Sequence, residues 1–171
     1  TVSILNEWWC CLNIFSNNTF NRISLDTTQN NLYTISSGTK KFLKNIDEPI
    51  HLRLFMSSTL VEIAPQLSTY ANRVESLLYS YANMSEGKIT LEIIDPKPFS
   101  DQEDRAVGMG ISPFGGSNNN DPLYFGLAAT NSTTGQKNIN VFSPEREPFL
   151  EYDLTRLIAE LAQTKKPKIS I

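Results

Sequence analysis

Histidine and cysteine, which carry much of metal, redox and nucleophile chemistry, are nearly missing from this sequence: there is one histidine, His51, and there are two cysteines, Cys10 and Cys11, side by side. A single histidine excludes a multi-histidine metal site. Adjacent cysteines seldom bridge each other, because the geometry is strained. Two such thiols supply neither a disulfide framework nor zinc-ligand spacing, and they leave the redox compartment open. An excess of positive charge is also lacking. The net charge is −3 and the basic residues are scattered, with only Lys40-Lys41 and Lys165-Lys166 adjacent. That leaves no concentrated basic surface for nucleic acid. No run approaches the roughly 20 apolar residues that a membrane span requires, and no complete signal peptide is present. Gly108-Met109-Gly110 and Gly115-Gly116 are turn glycines without the lysine and hydroxyl residue of a phosphate loop.

What is there suffices for a folded domain. The 171 residues, 40% of them hydrophobic, allow one domain with a proper core, with or without extensions. A sequence that starts at Thr1 and stops in the strand-like Lys168-Ile169-Ser170-Ile171 is expected to belong to a longer protein. The start is crowded with Trp8, Trp9, Cys10, Cys11, Leu12, Ile14, Phe15 and Phe20, interrupted by Asn13, Asn17 and Asn18. Composition leaves two readings of it: the end of a membrane helix with its tryptophans at the interface, or a hydrophobic arm packed on the domain.

Periodicity places the main elements. Arg22–Asp26 reads as a short strand. Ser36 or Ser37 caps a short helix with Phe42, Leu43 and Ile46 on one face, and Asp47-Glu48-Pro49 stops it. Ile50, Leu52, Leu54 and Met56 alternate with His51, Arg53, Phe55 and Ser57, which is a strand with period two. A long helix is expected from about Pro65 to Met84, with Leu67, Tyr70, Ala71, Val74, Leu77, Leu78 and Tyr81 on one face. Lys88–Ile94 is a second strand, and Ser100–Val107 a short acidic helix. Leu123–Thr130 and Lys137–Phe142 form a hairpin, with Gly135 available for a positive φ in its turn. The last helix starts with Ser143 as N-cap and Pro144 at its first position. Phe149, Leu150, Leu154, Leu157, Ile158 and Leu161 form its buried stripe, and Pro167 breaks it. The expected division is residues 1–33, membrane-proximal on the first of the two readings above, then 34–166 as the domain and 167–171 as the start of a following domain.

Strand, helix, strand, helix, hairpin, helix is the order of a thioredoxin-like α/β domain, three layers deep around a mixed sheet. In such folds a cis proline precedes the hairpin, so a cis bond is expected at Ser112–Pro113. Reactive cysteines would sit in the loop after the first strand, where a helix N-terminus lowers the thiol pKa. That loop reads Ser57-Ser58-Thr59-Leu60 and holds no thiol. His51 reads as a structural or surface residue, Asp95 as a turn residue before Pro96, and Asp101, Glu103 and Asp104 as a solvated helix face. The tripeptides beginning at Asn17, Asn83 and Asn131 have the glycosylation pattern, which matters only in a eukaryotic secretory route. No catalytic, cofactor-binding or metal-ligating set is expected. The candidate docking surface is the charged and aromatic start of the last helix: Glu145, Arg146, Glu147, Glu151, Tyr152 and Asp153.

Several stretches, in order, resemble one family. Ile23-Ser-Leu-Asp-Thr-Thr-Gln-Asn-Asn-Leu-Tyr-Thr-Ile-Ser36, Asp47-Glu-Pro49, Ile94-Asp-Pro96, Tyr124-Phe-Gly-Leu127, Pro144-Glu-Arg-Glu147 and Phe149-Leu-Glu-Tyr-Asp-Leu154 are similar to the GldG-like auxiliary proteins of gliding-motility-type ABC transport systems. Thr27-Thr-Gln-Asn30 departs from the more acidic linker of that family, and the Phe114–Pro122 loop is unusually rich in asparagine. The resemblance implies a membrane-anchored protein with most of its mass in the periplasm, a transmembrane helix upstream of residue 22, and an ABC transporter membrane subunit or a neighbouring domain as partner. It carries over no catalytic residue. Two rivals stand beside it: a thiol-dependent oxidoreductase using Cys10 and Cys11, and a small-ligand receptor with a pocket near Pro113 and Asn118–Asn120.

Overall fold

Alternation of aliphatic with polar side chains makes Ile50–Met56 (β1) a strand that buries one face over most of its length. Ile50, Leu52 and Leu54 are fully buried on that face, while on the other His51 is exposed, Arg53 half-buried and Phe55 buried. The structure is a computed structural model that describes residues 35–115 and 121–163, all within one compact unit that starts at Ile35. The expected strand at Arg22–Asp26, the membrane-proximal segment, Cys10, Cys11 and the residues from 164 onward lie outside the described residues.

β1 is an inner strand. It pairs in parallel with Ile89–Ile94 (β2), Ile50 lying opposite Ile89, and antiparallel with Phe125–Asn131 (β3), Leu54 lying opposite Leu127. β3 pairs in turn with Gln136–Ile139 (β4), also antiparallel. The result is a mixed four-stranded sheet in the order β2-β1-β3-β4, the thioredoxin-like arrangement.

The helices are α1 (Ser37–Lys44), α2 (Leu60–Ile63), α3 (Pro65–Met84), α4 (Asp101–Gly108) and α5 (Leu150–Ala162). Tyr70, Val74, Leu78 and Tyr81 of α3 and Leu154, Ile158 and Leu161 of α5 pack with Ile50, Leu52, Leu54 and Leu127 in the larger core. Tyr70, Phe125 and Phe142 meet there edge to face or tilted, with ring centroids 5.0–6.5 Å apart. Ala106 of α4 and Ile111 cover Phe55, Ile94, Tyr124 and Ala128 in a smaller core on the other face. Helices on both faces of one sheet make the three layers. Burying both faces is also why β3 reads as a nearly continuous apolar run rather than an alternating one.

Local chemistry corrects four expectations. The last helix does not run unbroken from Ser143: Pro144–Phe149 is a 3₁₀ turn, and Ser143 makes no side-chain cap. Pro148 has no N–H to return to the carbonyl four residues earlier, so an α-helical start is unavailable. β4 stops at Ile139 because its partner register breaks. The pairing of Leu127 with Ile139 would bring Val141 opposite Phe125, yet it is the Phe142 N–H that reaches the Phe125 carbonyl, at 2.8 Å. The one extra residue is a bulge. In the hairpin turn it is Thr134 that takes a positive φ, 69°, not Gly135. Gly135 is needed for space, since a Cβ there would lie 2.9 Å from the Asn131 side chain. Finally, no described peptide bond is cis, so Ser112–Pro113 is trans. The proline is not adjacent to β3. A bridge between Phe114 and Leu123 intervenes, and Tyr124 takes the place just before the strand.

Candidate functional site

β1 and β2 run parallel, so their carboxyl ends emerge side by side and the chain leaves them toward opposite faces of the sheet. Crevices at such switch points are where open α/β sheets place their ligands. Here that end of the sheet carries Ser57-Ser58-Thr59 after β1, the Asp95–Phe99 loop after β2, and Tyr124 ahead of β3.

Ser57 closes this end of the sheet. It is buried, its N–H donates to the Tyr124 carbonyl at 2.9 Å, and its Oγ accepts the Tyr124 N–H at 2.9 Å. The position that a redox thiol would border is therefore filled by a serine whose hydroxyl is committed to a backbone amide. Asp95 ties the next loop in, its Oδ1 accepting the Ser58 N–H at 3.0 Å, a tie between loops rather than the local turn expected of it. The Tyr124 hydroxyl donates to Glu103 Oε1 at 2.9 Å, and the Phe99 N–H donates to Glu103 Oε2 at 2.7 Å. Burial pushes the Tyr124 phenol up to about 12, with further raising by the hydrogen bond to Glu103 and by the charges of Glu103 and Asp104. The arrangement is a set of loop clamps, with neutral hydroxyls and one carboxylate already bonded at both oxygens.

The residues proposed for docking on the last helix are distributed differently from the expectation. Glu145 and Tyr152 are exposed, Tyr152 to 62%. Arg146 grips Asp153 with bonds of 2.9 and 3.1 Å. Glu147 pairs with Arg73 of α3. Glu151 accepts the Ser36 N–H at 3.0 Å and the Thr39 hydroxyl at 2.7 Å. Burial alone would raise the Glu151 carboxyl, but the hydrogen bonds from Thr39 and Ser36, helped by Lys40, outweigh it and hold the pKa below the usual range. Much of this acidic face is thus spent on the chain's own helices. Phe149, expected in the buried stripe, is 58% exposed. The 3₁₀ turn winds at about three residues per turn, so it ends out of phase with the α-helix that follows.

Other singled-out residues resolve into structural roles. His51 is exposed on β1. Arg53 beside it bonds Glu92 and Thr130, each at 3.1 Å. Asn131 is buried, and its side chain serves Leu161, Thr133 and Gly135, so its amide nitrogen is occupied. Asn83 is exposed at the end of α3, while the Asn17 tripeptide and Asn118–Asn120 lie outside the described residues. Among the described residues no cluster of three or more His, Cys, Asp and Glu could hold a metal, and no helix is long and apolar enough to cross a membrane.

Sequence reasoning missed the Glu103 clamp and the exposure of Phe99. Ser100 followed by Glu103 was the available signal, since a hydroxyl residue three places before glutamate marks a helix start. Residues 29–130, more than half of the chain, match the family model described as Domain of unknown function (DUF7088), and the chain belongs to that family. No curated protein and no solved structure matches it.

Proposed function

We propose that this DUF7088-family chain is a non-catalytic binding module of a gliding-motility-type ABC transport system, held on the extracytoplasmic side of the membrane by a helix upstream of residue 22. The observation that carries the preference for binding is Ser57. At the place where a thioredoxin-like domain would expose its reactive thiol, a buried serine is bonded at both its N–H and its Oγ to the backbone of Tyr124. The transport assignment rests on the ordered sequence resemblance from Ile23 to Leu154. Tyr152 and Phe149, exposed on and just before α5, give the last helix an aromatic surface for a membrane subunit or an adjacent domain.

The test is fractionation of cells that make the full-length protein, with affinity recovery from detergent-solubilised membranes. The expected result is a membrane-bound protein that a non-permeant label reaches from outside the cytoplasm, and that brings down a transporter membrane subunit and its ATPase. A freely soluble cytoplasmic protein recovered without either subunit would overturn the proposal.

A further inference from the structure

The two edges of the described sheet are finished differently. β4 is protected: it runs only from Gln136 to Ile139, carries Lys137, and gives way to the bulge before Phe142. β2 has six residues, Ile89-Thr-Leu-Glu-Ile-Ile94, in unbroken register with β1 and without a proline.

The Ile50 N–H donates to the Lys88 carbonyl at 2.9 Å, so the even-numbered residues of this stretch direct their peptide groups to β1. Ile89, Leu91 and Ile93 direct theirs to the open edge. Ser85 Oγ meets the Ile89 N–H there at 2.9 Å. Among the described residues nothing meets the N–H of Leu91 or Ile93. The apolar cover runs out at the same edge. Leu52 and Leu54 of β1 are fully buried, but their partners across the ladder are not: Leu91 is half-buried and Ile93 is 37% exposed. A strand with apolar side chains at alternate positions would complete both the ladder and the core face.

β2 is itself such a strand. We propose that the β2 edge pairs with the same edge of a second copy of this chain, antiparallel about a two-fold axis at Leu91. The charges and side chains on β2 select that register. An axis at Glu92 would set two carboxylates directly opposite, which is destabilising. An axis at Thr90 would set Ile93 against Gly87, leaving it no opposing side chain. The axis at Leu91 sets Leu91 against Leu91, Ile89 against Ile93 and Thr90 against Glu92, each on a matching face. Leu91 then exchanges N–H···O=C bonds with its counterpart, and each Ile93 N–H reaches the other copy's Ile89 carbonyl. The two Glu92 residues meet only diagonally. Each is already paired with Arg53 and Arg105, at 3.1 and 3.8 Å, and has the other copy's Lys88 on its second diagonal.

The experiment uses the full chain in the cells that make it, carrying Cys10→Ser and Cys11→Ser and one new cysteine, Leu91→Cys or, at the opposite edge, Gln136→Cys. Opposed residues of a hydrogen-bonded antiparallel pair have Cα atoms about 5.5 Å apart, within the roughly 4.4–6.8 Å that a disulfide spans. Mild oxidation is expected to convert Leu91→Cys, but not Gln136→Cys, to a covalent species of twice the chain mass joined through position 91. Its yield should rise with expression level, because an edge contact is small and the dimer follows mass action. Ile93→Pro, added to Leu91→Cys, removes an N–H that β1 does not use, so the fold should survive while the yield falls about tenfold or more. Ile93→Lys places a charge on the edge and should lower the yield likewise; it decides the matter if the proline variant fails to melt cooperatively. A yield at position 91 no greater than at position 136, an adduct to a different protein, or a yield unchanged by Ile93→Lys would overturn the proposal. An edge taken by any other strand gives one of the first two results.

Discussion

Thr39 and Glu151, 112 residues apart in sequence, are joined at 2.7 Å, the Thr39 hydroxyl donating to Glu151 Oε1. The same oxygen accepts the Ser36 N–H at 3.0 Å, so a carboxylate from α5 supplies the negative charge that the first turn of α1 lacks in its own sequence. Ser36 is the residue after Ile35, where the compact unit begins. This contact therefore ties the first described turn of the domain to its last helix.

Replacing Glu151 with glutamine is expected to cost about 1–2 kcal/mol, because two hydrogen bonds lose their charge assistance. The carboxyl is held below its usual pKa, so its contribution is present above about pH 4.3 and is lost as pH falls through the lower folded value. Denaturant melts from about pH 3 to pH 7 should show the variant with the shallower acid slope. Equal slopes would mean that the latch carries no net charge effect.

Ser57→Ala removes the acceptor of the Tyr124 N–H while leaving the Ser57 N–H bond to the Tyr124 carbonyl intact. The stranded buried N–H should lower stability by about 1–3 kcal/mol. Equilibrium unfolding checks the magnitude. Faster hydrogen exchange at the Tyr124 amide checks the place.

Gly126→Ala should be among the most damaging small substitutions. A Cβ at that position would lie 2.4 Å from the Asn140 carbonyl oxygen, 2.8 Å from Ile111 and 2.9 Å from the Ile139 carbonyl oxygen. Two of those three atoms are backbone, which cannot swing aside, so a loss of about 1–3 kcal/mol or more is expected. A Tm within a degree or two of the parent, about the resolution of such a comparison, would contradict the close approach of β3 to the β4 bulge.

Glu103→Gln removes the charge that helps keep the Tyr124 phenol neutral. The Tyr124 titration should move down from about 12 but stay above the free value of about 10, since burial, the larger cause, persists. A raised phenol pKa adds stability that is complete below about pH 10 and is lost as pH rises toward the folded value. The variant should therefore lose less stability as pH rises through that range. Tyrosinate absorbance against pH, compared with a Tyr124→Phe control, isolates the group.

The elements that were legible in the sequence share a physical basis. Ile50, Leu52 and Leu54 announce β1 by alternation, and Tyr70 through Tyr81 announce α3 by helical spacing, because both patterns are local and repeat along the chain. The order of these elements then allowed few topologies, and the β2-β1-β3-β4 sheet is one of them. Phe149 misled the same reasoning. It has the right spacing for the buried stripe, but Pro148 forces a 3₁₀ turn whose winding carries it outward.

By itself, then, the sequence determined the α/β class, the positions of the main strands and helices, and the absence of a thiol from the loop Ser57-Ser58-Thr59-Leu60. These follow from residue type and short-range period. Tertiary structure alone decided that Ser57 would bond Tyr124, that Glu103 would hold both Tyr124 and Phe99, and that Glu151 would turn inward to α1 rather than out to a partner. Hydrogen bonds between Ser57 and Tyr124 or Thr39 and Glu151 join residues 67 and 112 positions apart. No local pattern specifies such pairings, because they exist only once the sheet has brought the ends of separate elements together.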